Sequence, residues 1–299
     1  MKTSHQECRM VMSCCSVRRG ISVIEVVVVI SIIGLLLALI LPAVMASRRT
    51  ARRTECLNNT RQIALAMNEY AATHDVFPTA GITQAASYLV KILPHIDELN
   101  LYEKFDFNAN VAQQLPLAED RPFYFACPSD PIGNSHLRAA NYFANMGWGN
   151  RRGSTGVIYN RHIRPENIAD GISNTALISE FLPTHPNDPR RATWAESFSG
   201  SIYRPVSQIA SDCLSANNSV AWPRGTLWTL GAYGNTTYDH ALPPNTRSCM
   251  FTVNASSLHE NGVNTAFCDG SVRYINDSID GTVWQAIGTR AGGEAVDSY

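Results

Sequence analysis

The run from Ile21 to Leu41, ISVIEVVVVISIIGLLLALIL, constrains this chain more than anything else in it: 21 residues with Glu25 as the one charge. At ~1.5 Å per residue a helix of that length spans roughly 31 Å, close to the hydrocarbon thickness of a bilayer. A core helix of a soluble domain has one polar stripe, and this run has none. The segment predicts a transmembrane helix. Within it Glu25 needs an explanation, because an ionised carboxylate facing lipid costs about 2.5–3.5 kcal/mol near the bilayer centre, and less near an interface. It calls for a cationic partner. Gly20 follows Arg18 and Arg19 and directly precedes the apolar run. Cleavage after Gly20 would place a positive amine on Ile21, at the depth needed to neutralise a Glu25.

Two plainer readings compete. A secretory signal peptide would have a shorter apolar region and a small-residue cleavage site, for which Val44-Met45-Ala46 stands available. An uncleaved anchor would need no Gly20. Charge does not settle orientation, since Lys2, Arg9, Arg18 and Arg19 on one side face Arg48, Arg49, Arg52 and Arg53 on the other. The first twenty residues carry a net charge of +3 within an overall −1, leaving −4 for the rest of the 299 residues. That balance, with 16% charged residues, offers no basic stripe for nucleic acid.

Past the membrane segment, Cys56, Thr60, Ile63, Met67 and Tyr70 recur at helical spacing, so the helix is expected to continue to about Ala72 with this stripe seating a globular domain. Pro42 is expected to kink it. Ala85–Leu93 reads as a helix stopped by Pro94, and Ile96–Tyr102 as a second short one. Residues 107–244, rich in Asn, Ser, Gly and Pro, predict short strands and long loops. Near the C-terminus, strand-like runs flank Asp269-Gly270, which predicts a two-residue hairpin turn with both residues at positive φ. That turn pairs Phe267 with Val272 and Thr265 with Tyr274. Thr282–Ile287 then reads as a helix closed by Gly288.

Eight cysteines are present, none in a Cys-x-x-Cys pair, which argues against a zinc ribbon or thioredoxin-like site. Of the five beyond the leader, Cys213 and Cys249 are the pair expected to bond. Five is odd, so at least one has no partner within the chain. His259 and Asp269, like His240 beside Asp239, are read as structural rather than catalytic, and Asp170-Gly171 with Ser173-Asn174 as turn and cap chemistry. No phosphate-binding glycine loop or nucleophile elbow is present. No cofactor is expected, and no metal-ligand spacing is legible; a structural calcium in the carbonyl- and carboxylate-rich loops is the one ion entertained.

The basic leader ending in Gly20, followed by an apolar helix with Glu25 as its fifth residue, resembles the type IV prepilin signature. The resemblance implies that a prepilin peptidase cuts after Gly20 and methylates Ile21, and that Glu25 faces the amine of a neighbouring subunit during assembly. Pro42 also sits where pilin helices often carry a proline. Ile21 departs from the usual Phe, and the leader is long unless translation starts at Met10 or Met12. His259, nine residues and then Asp269-Gly270 resemble the H-x9-DG motif of a large bacterial family that joins a prepilin-type N-terminus to an exported domain. ARRTECLNNTRQIALAMNEYAATHDVFP, CPSDP at Cys127–Pro131, ADGISNTALISE at Ala169–Glu180, YDHALPPN at Tyr238–Asn245 and SLHENGVNTAFCDGSVRYINDSIDG at Ser257–Gly281 extend it over most of residues 20–299. No activity is assigned to that domain.

The implied organisation is a leader (1–20), a transmembrane helix (21–46), its continuation (47–73) and an exported domain (74–299). The fold class expected is α+β, a long N-terminal helix packed on a mostly antiparallel sheet with irregular insertions. The expected function is structural: a pseudopilin-like subunit of a type II secretion or type IV pilus-like assembly in the inner membrane, single-pass, with its C-terminal domain in the periplasm or at the cell surface. Its partners would be the peptidase, membrane lipid, and itself or other pseudopilins. The alternative is a membrane-tethered binding domain that uses prepilin processing without polymerising.

Overall fold

Helix α1 runs from Val23 to His74, 52 residues that continue through Pro42. In the computed structural model the described residues are 22–81, 85–148, 155–159, 161–185, 191–195, 206–220, 223–250 and 252–294. Two compact units divide the chain between Arg48 and Arg49. In the first, α1 is long and apolar enough to cross a membrane and its apolar window buries nothing against protein. Leu35, Leu39 and Leu41 are all exposed. Such a surface is unfavourable in water on every side, and a bilayer is the solvent that matches it.

In the second unit the C-terminal part of α1 changes character. Cys56, Thr60, Ile63 and Met67 are buried along one face, with Ala64, Ala66 and Ala71 filling beside them. The fold is α+β. Strands among the described residues are β1 (Ala85–Ala86), β2 (Tyr142–Asn145), β3 (Ala176–Glu180), β4 (Thr193–Ala195), β5 (Asn218–Val220), β6 (Leu230–Gly231), β7 (Thr237–Tyr238), β8 (Ser248–Cys249), β9 (Gly262–Phe267) and β10 (Val272–Asn276). The main sheet has the order β10-β9-β3-β2-β7, antiparallel except for the β2–β7 pair. β5-β4-β8 and β1-β6 form smaller sheets.

Strand alternation divides the main sheet between two apolar layers. Tyr142, Ala144, Ile178 and Ala266 join the cluster that contains the α1 face. Phe143, Val263, Phe267 and Ile275 join another, with Trp284 and Ile287 from the C-terminal helix Gly281–Gly288. That helix is capped by Asp280, whose side chain accepts from the backbone N–H of Thr282 and Val283. With both faces covered, every residue of β9 is buried.

The hairpin differs from its expected register. Val272 pairs with Ala266 and Tyr274 with Asn264, one residue away from the anticipated pairs. Gly270 alone takes positive φ, +83°, while Asp269 does not. Phe267 N–H donates to Ser271 O and Gly270 N–H to Phe267 O, closing a three-residue loop, Cys268–Gly270, with the glycine in the left-handed position. A one-residue slip exchanges the two faces of a strand, which is why both now carry apolar side chains. The Ala85–Leu93 stretch also divides: after β1 comes a helix at Tyr88–Lys91 and a 3-10 turn at Leu93–Ile96. Pro94 sits near the start of that turn, where its missing donor costs nothing. Pairing of Ala85 with Gly231 overrides local helix preference there. The second short helix spans Leu99–Tyr102.

Disulfides join Cys56 to Cys127 and Cys213 to Cys249. Cys268 is free and buried, and burial pushes its thiol up.

Beneath the C-terminal helix lies His240, stacked on Trp284 with ring centroids 4.0 Å apart. Its Nδ1 is 2.7 Å from Trp284 O and its Nε2 2.9 Å from the Tyr238 hydroxyl. Burial lowers its pKa from 6.5 to about 3, so the fold holds the ring neutral. Asp239 beside it accepts from Val253 N–H, Ala241 N–H and the Tyr233 hydroxyl. Burial outweighs those bonds and raises its carboxyl from 3.8 to about 6. Below pH 6.5 the unfolded chain takes up a proton at residue 240 that the folded chain refuses, so stability falls with pH until about 3. Between pH 6 and about 4 the folded chain holds an extra proton on Asp239, so that contribution rises as pH falls. Each slope is about 1.4 kcal/mol per pH unit, and the two oppose each other between pH 6 and 4. Removing the histidine unmasks the second: the unfolding free energy of His240→Gln relative to wild type should rise by about 1.4 kcal/mol per pH unit from pH 6 to 4. Urea titrations at several pH values measure it, and a constant difference would refute a neutral buried His240.

Candidate functional site

Glu180 ends β3 on the face that α1 covers, two residues after Ile178. Its carboxylate is held from the neighbouring strand: Oε2 accepts from Asn264 N–H at 2.8 Å and Oε1 from Asn264 Nδ2 at 3.0 Å. His259 lies just before β9, its N–H donating to Ser257 Oγ at 3.1 Å. The His259 Nε2 stands 3.0 Å from Glu180 Oε1 and 3.9 Å from Cys127 Sγ. Cys127 is bonded to Cys56 of α1. One donor atom from each of Cys56, Cys127, Glu180 and His259 falls within 4.8 Å of the others. The His259 and Glu180 side chains are only 5% and 2% exposed. A cavity of about 170 Å³ reaches His259, walled by Ser256, Ser257, Asn261 and Asp277.

The turn that carries Cys127 is fixed by a second buried centre. Arg191 forms a bidentate pair with Asp130, 2.6 Å to Oδ1 and 3.1 Å to Oδ2, both side chains 1% exposed. Asn141 bridges the two centres: its Oδ1 accepts from Cys127 N–H, and its Nδ2 donates to Asp130 Oδ2 and Phe181 O. Burial by itself would raise the Asp130 carboxyl. The Arg191 pairing and the bonds from the Gly133 backbone and Asn141 outweigh it and hold the group below its ordinary value. This centre uses its polar groups on one another, which marks it as structural support for the first.

The residues singled out in the sequence fall in several places. Gly20 and Ile21 lie outside the described residues. Glu25 is near the start of α1, where its Oε2 accepts from Ser22 N–H at 2.8 Å. His259 is in the cluster, but Asp269 and Gly270 are at the other end of β9, so the spaced motif does not converge. Asp269 is exposed and its Oδ1 accepts from Ser271 N–H, the bond of a turn residue. Cys213 and Cys249 sit in a separate small core with Leu242. Asp170 accepts from Gly292 N–H and Gly293 N–H, fastening the C-terminal segment.

What sequence reading did not single out is Glu180 and the Cys56–Cys127 pairing. Cys56 reads as one position of an apolar helical stripe, Cys127 as part of a Cys-Pro-Ser-Asp-Pro turn, and Glu180 as the polar end of a strand. The only available signal was that a charged residue closing an otherwise apolar strand needs a partner. Chemically, the cluster offers an imidazole and an oriented carboxylate beside two sulfurs, a set able to share a proton or, with the sulfurs free, to ligate a metal.

A family model described as "Protein of unknown function (DUF1559)", SBP_bac_10, matches residues 45–282. The match covers all four residues of the cluster and begins after the apolar run. No curated protein and no solved structure matches the chain.

The Asp130–Arg191 centre generates a prediction. Asp130→Ala leaves a buried guanidinium without its carboxylate and should cost about 3–5 kcal/mol, whereas Asp130→Leu with Arg191→Met should cost less than that single change. Urea unfolding of the three proteins decides it; equal losses would mean that packing, not charge, dominates there.

Proposed function

The chain belongs to the DUF1559 family, and from that membership we propose that it is a membrane-anchored, pseudopilin-like structural subunit, not an enzyme, of a type II secretion or type IV pilus-like assembly. The observation that carries the reading is the N-terminal stretch of α1 up to Leu41, apolar on all sides, its large side chains exposed, with Glu25 as its one carboxylate. A lipid-exposed Glu25 needs a cation. In the chain as described it reaches back to Ser22 N–H, one residue from the position where cleavage after Gly20 would expose an amine on Ile21. A neighbouring subunit's amine would replace that weak partner with a full charge. The other partners are a prepilin peptidase and lipid. Two disulfides fit an oxidising compartment outside the cytoplasm, with the helix as a single-pass anchor in the inner membrane.

Mass spectrometry of the mature protein should find methyl-Ile at residue 21; a start at Ser47, or a retained leader, would overturn the reading. Glu25→Ala should leave cleavage intact and reduce crosslinking between N-terminal helices by about tenfold or more, the factor that roughly 1.4 kcal/mol represents. Unchanged crosslinking and localisation in that variant would favour a tethered domain that does not polymerise.

A further inference from the structure

The Cys56–Cys127 disulfide occupies a place that four metal-ligand side chains share. We propose that when this bond is reduced, Cys56, Cys127, His259 and Glu180 bind one Zn²⁺, so that the site is closed either by a disulfide or by a metal, never by both.

The donor set comes first. Two thiolates, an imidazole and a carboxylate make a four-coordinate shell of the N/S-rich kind that zinc prefers, whereas calcium takes six to eight oxygens. Geometry comes second. With zinc bonds of about 2.3 Å to sulfur and about 2.0–2.2 Å to nitrogen and oxygen, tetrahedral neighbours stand roughly 3.6 Å apart for S and N and roughly 3.3 Å for N and O. The corresponding separations already present are 3.9 Å for Cys127 Sγ to His259 Nε2 and 3.0 Å for His259 Nε2 to Glu180 Oε1. The two sulfurs have to part, to about 3.8 Å, and every other pair of donor atoms already lies within 4.8 Å.

Outer support is in place as well. Asn264 fixes both carboxylate oxygens, and Asn141 with the Asp130–Arg191 pair fixes the turn bearing Cys127. Partners of this kind orient metal ligands. A cavity on one side of His259 has Asp277 in its wall, an attractive charge for a cation near that ligand.

The chemistry balances with a dithiol reductant. Its first thiolate attacks one sulfur of the disulfide to form a mixed disulfide, and its second releases the protein thiol, leaving the reductant oxidised and Cys56 and Cys127 as two thiols. Zinc then displaces both thiol protons to solvent, and His259 binds through Nε2 as the Nδ1–H tautomer. Reoxidation of the two thiolates by a disulfide donor removes two ligands and releases the ion.

The test uses the full chain in detergent micelles, reduced anaerobically with a dithiol, desalted, and titrated with Zn²⁺ against a chromophoric chelator; Co²⁺ serves as a spectroscopic substitute. Reduced wild type should hold one equivalent of zinc more than the Cys56→Ser/Cys127→Ser double variant, which retains the other six cysteines, Cys8, Cys14, Cys15, Cys213, Cys249 and Cys268, and so reports their contribution. Oxidised wild type should hold no more than the double variant. His259→Gln should weaken binding by more than the roughly 10–100-fold loss typical of an outer-shell partner, and the Co²⁺ form of wild type should show the strong visible bands of a tetrahedral thiolate site. Equal zinc in wild type and double variant, or a reduced wild type that stays folded by circular dichroism and takes up none, would overturn the proposal. Should reduction unfold the domain, added Zn²⁺ must restore the folded spectrum of wild type and not of the double variant; failure to do so overturns it too.

Discussion

Burial of one face of α1 against the main sheet is the contact from which the second unit is built. Cys56, Thr60, Ile63 and Met67 are buried along that face and share one apolar cluster with side chains of β2 and β3, apart from Thr60. At a burial value of ~25 cal/mol per Å² such a face contributes several kcal/mol, and without it the sheet would have one uncovered side. Polar groups at the contact are matched rather than excluded. Asn59 Nδ2 donates to Ala126 O, Thr60 Oγ1 to Cys56 O within its own helix, and the Tyr142 hydroxyl to Cys56 O. The hydroxyl of Tyr88 donates in turn to Tyr142 O, carrying the same arrangement into the layer beyond.

The candidate site exists because four segments arrive at one place. Cys56 comes from the helix, Cys127 from the turn before Asp130, Glu180 from the end of a central strand, and His259 from the chain entering β9. None is adjacent to another in sequence. Their convergence depends on the antiparallel pairing of β3 with β9, which sets Asn264 against Glu180 and so aims the carboxylate at the imidazole. A buried carboxylate that relies on His259 and Asn264 is stable only if those neighbours are themselves held, and the Asn141 bridge ties the adjoining Cys127 turn to Asp130 and Arg191 in the same way.

The helical stripe on α1 was readable because its period is local and long: every fourth or third residue reports the same buried face over several turns. The hairpin after β9 was readable as a hairpin, since glycine and aspartate between apolar runs mark a turn. Its register was not, because the same two residues serve a two-residue loop or a three-residue loop with Gly270 in the left-handed position, and only the pairing of β9 with β3 selects one. Glu180 could not be recognised from its neighbours in sequence. A polar residue after Ala-Leu-Ile-Ser looks like a strand leaving the core, yet Glu180 is buried. The pairing of Cys56 with Cys127 was invisible for a similar reason: bonding across 71 residues is set by packing, not by spacing.

The bond from α1 to the Cys127 turn bears on how the domain behaves toward proteases. Residues 57–126 form a closed covalent ring, so a single cut within it leaves both fragments attached to the apolar helix. The C-terminal piece is then held by sulfur rather than by the main chain. Shedding from a membrane would require a cut before Cys56, in the exposed turns of α1 that contain Arg48, Arg49, Arg52 and Arg53, or a cut past Cys127. Trypsin-like nicking of that arginine-rich stretch and nicking of the ring therefore have opposite consequences, release in the first case and retention in the second, until a reductant makes them alike.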